Sequence, residues 1–164
     1  MIFVTVGTHE QQFNRLVEYM DKWAAEHDEK VVIQTGYSTY EPKNCEWSKM
    51  YPYQKMVEMV TEARIVITHG GPSSFIMPLQ FGKTPIVVPR QYKYNEHVND
   101  HQVKFCHQVE DRMGTIAVID DVDKLSQAIE NYDDMKREGN NTSNNKKFCQ
   151  ELESIVDEMF EGKK

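Results

Sequence analysis

Five short runs of β-branched and other apolar residues, each set off from the next by a stretch with helical spacing, constrain this chain more than any other feature. They are Ile2-Phe3-Val4-Thr5-Val6, Val31-Val32-Ile33, Ile65-Val66-Ile67, Pro85-Ile86-Val87-Val88-Pro89 and Ile116-Ala117-Val118-Ile119. Near-continuous apolar character in so few residues is what a strand needs when helices cover both of its faces. The intervening segments supply those helices. Phe13, Leu16, Val17 and Met20 fall on one helical face, as do Met56, Val57, Met59 and Val60, and then Phe75, Ile76 and Leu79 in a helix ending near Gly82. Two more helices are expected over residues 96–112 (Val98, Val103, Phe105, Val109) and 122–135 (Leu125, Ile129). Strands alternating with helices predict an α/β fold with a mostly parallel sheet. Residues 37–50, with Pro42 and Asn44 and no clean period, read as loop.

The chain has 164 residues, 39% hydrophobic and 27% charged, which suits one domain spanning 1–164 with its own core. Cys45, Cys106 and Cys149 are odd in number, widely spaced and without a C-x-x-C pair, so neither a disulfide framework nor a thiolate zinc site is indicated, and a reducing cytosol is the expected compartment. The net charge is −7 and the 19 Lys and Arg are scattered, so the basic stripe of a nucleic-acid binder is missing. No stretch approaches the ~20 apolar residues of a membrane span. Past the break at Gly139-Asn140-Asn141-Thr142-Ser143, residues 143–161 read as an amphipathic helix with Phe148, Leu152, Ile155, Val156 and Met159 on one face. That face either packs on its own domain or docks a partner.

In open parallel sheets ligands bind beyond the carboxyl ends of the strands. Two strands here end in small polar sequences: Gly7-Thr8-His9 and His69-Gly70-Gly71-Pro72-Ser73-Ser74. In the second, glycines allow close backbone approach, Pro72 suits a first helical turn, and Ser73 and Ser74 add hydroxyls beside free N–H groups, together an anion cradle. A plain strand-to-helix turn with a capping serine fits the same residues. A third polar cluster follows the fourth run: Arg90, then Glu96, His97, Asn99, Asp100, His101 and Gln102. These offer a hydrogen-bonding set for a polyhydroxylated ligand, or a solvated helical face.

Other motifs fail on inspection. Gly82-Lys83-Thr84 resembles the tail of a phosphate-binding loop, but Met77 stands where the first glycine belongs and the triplet enters a strand instead of leaving one. His97 and His101 are spaced like a pair of zinc ligands, yet Val98 replaces the glutamate such a motif needs, and no metal is expected. Ser73 lacks the following glycine of a nucleophile elbow.

Three of these segments, Val4 to Leu16, Ile67 to Phe75, and Val88-Pro89-Arg90 with Glu96 through Gln102, resemble in order the bacterial exopolysaccharide and capsule glycosyltransferases of the PssE and EpsF type. Those are relatives of the eukaryotic Alg13 subunit and of the C-terminal half of MurG. The resemblance runs to about residue 135 and implies a Rossmann-like parallel sheet flanked by helices, the C-terminal, donor-binding half of a GT-B glycosyltransferase. It implies a UDP-sugar as substrate, with no cofactor. Gly70, Gly71, Pro72, Ser73 and Ser74 would face the diphosphate, with Gly7 and Thr8 on the same side of the cleft and His69 beside them. His101 and Gln102 would lie near the sugar, with Arg90, Glu96, Asn99 and Asp100 close by, and Tyr51 and Tyr53 near the base. Where relatives hold the ribose with a helix glutamate, this chain has Met77, followed by Pro78.

A GT-B enzyme has two Rossmann-like halves and this length supplies one. The resemblance therefore implies a hexosyltransferase working with a PssD- or Alg14-like membrane-associated subunit, which would carry the lipid-linked sugar acceptor and the general base. His9 is a weaker candidate for that base. The expected location is cytoplasmic, at the inner face of the plasma membrane through the partner. A non-catalytic activator or stabiliser of a membrane-associated glycosyltransferase is the alternative.

Overall fold

The computed structural model describes residues 1–7, 11–97, 99–113 and 116–132, with backbone alone at Pro72, Ser73 and Met113. The expected helix over 143–161, Cys149, Thr8 and His9 lie outside the described residues.

Six strands, β1 (Ile2–Thr5), β2 (Val31–Gln34), β3 (Glu46–Ser48), β4 (Ile65–His69), β5 (Ile86–Val88) and β6 (Ala117–Val118), form one sheet in the order β3-β2-β1-β4-β5-β6. Every pairing is parallel, with Thr5 at the end of β1 opposite Gln34 on one side and Thr68 on the other. The helices are α1 (Asn14–Glu26), α2 (Tyr53–Glu62), α3 (Pro72–Gln80), α4 (His101–Met113) and α5 (Leu125–Glu130). They cover both faces, as the apolar strands require.

Strand residues alternate between the two layers with the period of two that the pleat imposes. Ile2, Val4, Val31, Ile33, Ile65, Ile67, Ile86 and Val88 face α1 and α5, packing on Leu16, Val17, Met20 and Ile129. On the other side Phe3, Val32 and Val66 meet Met59 and Val60 of α2, while Val87 meets Phe75 and Leu79 of α3 and Phe105 and Val109 of α4. The short β-branched runs thus serve two cores at once.

Three expectations change. The stretch read as loop contains β3, an edge strand whose exposed and half-buried Glu-Trp-Ser sequence carries no apolar run; backbone pairing to Val32, Ile33 and Gln34 makes it a strand. The loop ahead of it hangs on buried Asp21, which accepts hydrogen bonds from Lys43 N (2.9 Å), Asn44 N (2.7 Å) and the Tyr40 hydroxyl (2.8 Å). The helix expected from residue 96 begins at His101, because Glu96 is buried and tied to Gln91 N and Arg15. A 3-10 turn (Tyr92–Tyr94) and left-handed Asn95 lead into Glu96, and the first helical bond of α4 runs from Lys104 N to Asp100 O. Finally, the helix expected over 122–135 is broken: a 3-10 turn (Val122–Lys124), capped by the Asp121 carboxylate on Asp123 N, precedes α5.

Among the described residues no helix is long and apolar enough to cross a membrane.

Candidate functional site

From β1 the chain winds outward to β2 and β3, then returns to β4 on the other flank of β1. Connections therefore leave the carboxyl ends of β1 and β4 in opposite directions, and a crevice opens between them. A cleft of about 560 Å³ occupies that place. Thr5, Gly7 and Gln34 come from the ends of β1 and β2, His69, Ser74 and Met77 from β4 and α3, and Gln102 from α4. Met50, Tyr51, Tyr53, Met56 and Val60, from α2 and the residues just before it, complete the lining. A second hollow, about 520 Å³, runs along α1 beside Val122 and Ser126; its lining of Arg15, Glu18, Lys22, Glu26 and Asp123 includes none of the strand-end glycines.

The centre of the cleft is organised around His69, the last residue of β4. A Cβ on Gly7 would lie 2.2 Å from its Nε2, and a Cβ on Gly71 would lie 2.3 Å from its Cε1. The imidazole therefore fills a slot that two glycines leave open. Gly7 also has φ +73°, a conformation glycine adopts without strain. Inside the slot Gly71 N–H donates to Nδ1 (3.2 Å), which fixes the hydrogen on Nε2, and Nε2 then donates to Ser74 Oγ at 2.9 Å. Two chemical consequences follow. His69 in this tautomer cannot take the Ser74 proton, so the pair is not a nucleophile and base. Ser74, with its oxygen already engaged as acceptor, keeps its own hydrogen to offer an anion or hydroxyl in the cleft.

Ser74 sits on the first turn of α3, where Gly71 is the N-cap and Pro72 opens the helix. The positive end of the helix dipole favours an anion at this place, although Pro72 has no N–H and Gly71 N and Ser74 N already donate to His69 Nδ1 and Gly71 O. Gly70 has a packing role instead: a Cβ there would lie 2.9 Å from Cys106 Sγ and 3.0 Å from Gln102 Cβ, so its absence lets α4 close on the strand end. That approach brings Gln102 into the cleft, and its Oε1 accepts Arg90 N–H at 3.1 Å.

Arg90 and Glu96 are engaged internally. Arg90 is fully buried; Nη1 donates to Gln11 O (2.8 Å), Gln12 O (3.2 Å) and Glu96 O (3.1 Å), Nη2 donates to Val6 O (2.8 Å), and the guanidinium lies 5.0 Å above the Phe13 ring. Burial pulls its pKa down to about 10, an effect the neighbouring Glu96 carboxylate opposes. Glu96 receives Arg15 Nε (2.9 Å) and Nη2 (3.0 Å). The two arginines thus bolt the 90–97 loop to the segment after β1. Asn99 and Asp100 hold backbone, accepting from His101 N and Tyr92 N, each at 2.9 Å. His101 stands exposed at the head of α4.

Of the residues expected from sequence, Gly7, His69, Ser74, Gln102, Tyr51 and Tyr53 meet in the cleft, joined by Met77. Thr5, Gln34, Met50, Met56 and Val60 were not foreseen. The available signal was a polar residue closing an apolar strand: Thr5 in one run, Gln34 directly after another. Burial raises the Tyr51 phenol above its ordinary range, with Glu46 adding to the effect.

Solved structures similar to this chain are glycosyltransferases: the kitacinnamycin glycotransferase (19% identity, TM-score 0.61, covering 93% of this chain and 39% of that one) and SnogD from Streptomyces nogalater (17%, 0.57, 92% and 39%). The calicheamicin glycosyltransferase CalG4 is a third (15%, 0.58, 96% and 43%). This chain thus spans about two fifths of each, and the likeness extends to the fold. No curated protein matches it. The model of the glycosyltransferase family 28 C-terminal domain matches residues 1–159, taking in both glycine turns and the whole cleft. With nearly every residue inside that match, the chain belongs to the glycosyltransferase family 28 C-terminal domain family.

Proposed function

We propose that this chain is the donor-binding half of a two-component inverting glycosyltransferase, taking a hexose from a UDP-sugar and passing it to a lipid-linked sugar in exopolysaccharide or capsule assembly. The observation that carries the reading is the cleft between β1 and β4, with the His69–Ser74 pair and the start of α3 at its centre. The diphosphate lies against that helix start, the base lies toward Tyr51 and Tyr53, and the sugar lies toward Gln102.

In the reaction an acceptor hydroxyl oxygen forms a bond to the anomeric carbon as the bond from that carbon to the diphosphate oxygen breaks, its electron pair leaving with UDP. The hydroxyl proton goes to a general base. Negative charge grows on the departing diphosphate, and the α3 terminus with the Ser74 hydroxyl is already oriented to stabilise it, without reorganisation during the step. The base and the lipid-linked acceptor belong to a membrane-associated partner subunit, which completes the cleft.

Titration calorimetry with UDP on the chain alone is the first test, and co-expression with a candidate partner followed by transfer assays over several UDP-sugars is the second. Ser74→Ala is expected to weaken UDP binding about tenfold, the worth of one charge-assisted hydrogen bond. Transfer at full rate by the chain alone would overturn the two-component reading. Transfer by the complex that survived loss of the donor cleft would instead identify a non-catalytic stabiliser.

A further inference from the structure

Gln34 is a polar side chain of the cleft to which the mechanism above assigns no function. It closes β2, in register with Thr5 of β1, and it is 4% exposed although it lines the cleft. Its orientation is set from behind. The Thr5 hydroxyl accepts Gly7 N–H at 3.2 Å and donates to Gln34 Oε1, which turns Nε2 toward Met50 Sδ at 3.4 Å. A buried carboxamide donor thus rests on a thioether, a weak acceptor. Any hydroxyl oxygen brought into the cleft is a stronger one.

The placement proposed above says which hydroxyl. With the base toward Tyr51 and Tyr53 and the diphosphate at the start of α3, the ribose lies between them, in the cleft that Gln34 lines together with Gly7 and Met50. On the α3 side of the cleft Met77 offers packing without a strong hydrogen bond.

We infer that Gln34 is the ribose-reading residue of this site: its Nε2 exchanges Met50 Sδ for a ribose hydroxyl, and Thr5 holds it in position. The site therefore selects ribonucleotides over their deoxy counterparts. This inference rests on the nucleotide reading of the cleft and goes further by assigning the group that recognises the sugar of the nucleotide.

The test is calorimetry with UDP, 2′-deoxy-UDP and 3′-deoxy-UDP on the native chain and on Gln34→Leu. The native chain should prefer UDP over at least one deoxy analogue by about fivefold to tenfold, the worth of one hydrogen bond, and Gln34→Leu should reduce that preference to within about twofold. Because Gln34→Leu strands the Thr5 hydroxyl and can impair folding, the native chain carries a second readout. The Gln34 side-chain amide resonances should move with UDP and stay still with the analogue lacking the contacted hydroxyl. Equal affinity of the native chain for all three ligands, or an unchanged preference in Gln34→Leu, would overturn the assignment while leaving nucleotide binding intact. Failure to bind UDP at all would overturn both.

Discussion

Gly71→Ala offers a clean perturbation of the cleft, because nothing about the Gly71 backbone objects to a side chain. Its φ of −74° and ψ of 127° are open to any residue, so the whole cost is steric. The new Cβ would lie 2.3 Å from His69 Cε1 and 2.9 Å from Nε2. Retreat is closed, since Gly7 bounds the ring's other side closely enough that a Cβ there would come within 2.2 Å of Nε2. Two responses remain. If the ring stays, overpacking costs about 1–3 kcal/mol. If it swings out, the bonds to Ser74 Oγ (2.9 Å) and from Gly71 N (3.2 Å) are lost, at about 1 kcal/mol each. Both routes give a loss of about 2 kcal/mol, to be read from equilibrium urea unfolding. In a His69→Ala background the ring is gone, and Gly71→Ala should then cost less than about 0.5 kcal/mol, leaving a coupling energy of about 1.5 kcal/mol or more. Native stability in Gly71→Ala, or an equal loss in both backgrounds, would refute the slot.

Other expectations follow from single contacts. Arg90→Met should destabilise by about 3–5 kcal/mol, since it abandons the carbonyls of Val6, Gln11, Gln12 and Glu96 in the interior; thermal unfolding measures this. Asp21→Ala removes the acceptor for three donors and should cost about 2–4 kcal/mol, with limited proteolysis showing earlier cleavage over 40–45. The hydrogen bond from Arg64 holds the Glu29 carboxyl below its ordinary range against desolvation by burial, with the N-terminal ammonium helping. That contribution is present above the ordinary carboxylate pKa and is lost as pH falls through the lower folded value. Glu29→Gln should therefore flatten the acid limb of the stability profile, and because Arg64 is exposed its cost at pH 7 should stay under about 1 kcal/mol.

What could be read from the sequence was what its physics writes locally. Apolar runs such as Ile65-Val66-Ile67 declare a strand covered on both faces, and the helices between them declare the parallel connections. The glycine turns were readable too, since few other residues allow a ring such as His69 to lie against backbone. Strand β3 was not readable, because Glu46-Trp47-Ser48 owes its conformation to partners on β2. Arg90 and Glu96 carried the opposite lesson. Charged residues near a strand end suggest a ligand, yet here long-range bonds to residues 6, 11, 12 and 15 draw both inward. Gln34 was hidden for a similar reason, since its importance arises from Thr5 and Met50, distant in sequence.

The central claim is that a nucleoside diphosphate occupies the cleft between β1 and β4, and three methionines placed around that cleft can report on it directly. With methyl-labelled methionine, UDP should shift the resonances of Met50, Met56 and Met77 while Met20, buried against the far face of the sheet, stays in place. Shifts confined to other methionines, or none at saturating UDP, would contradict the account.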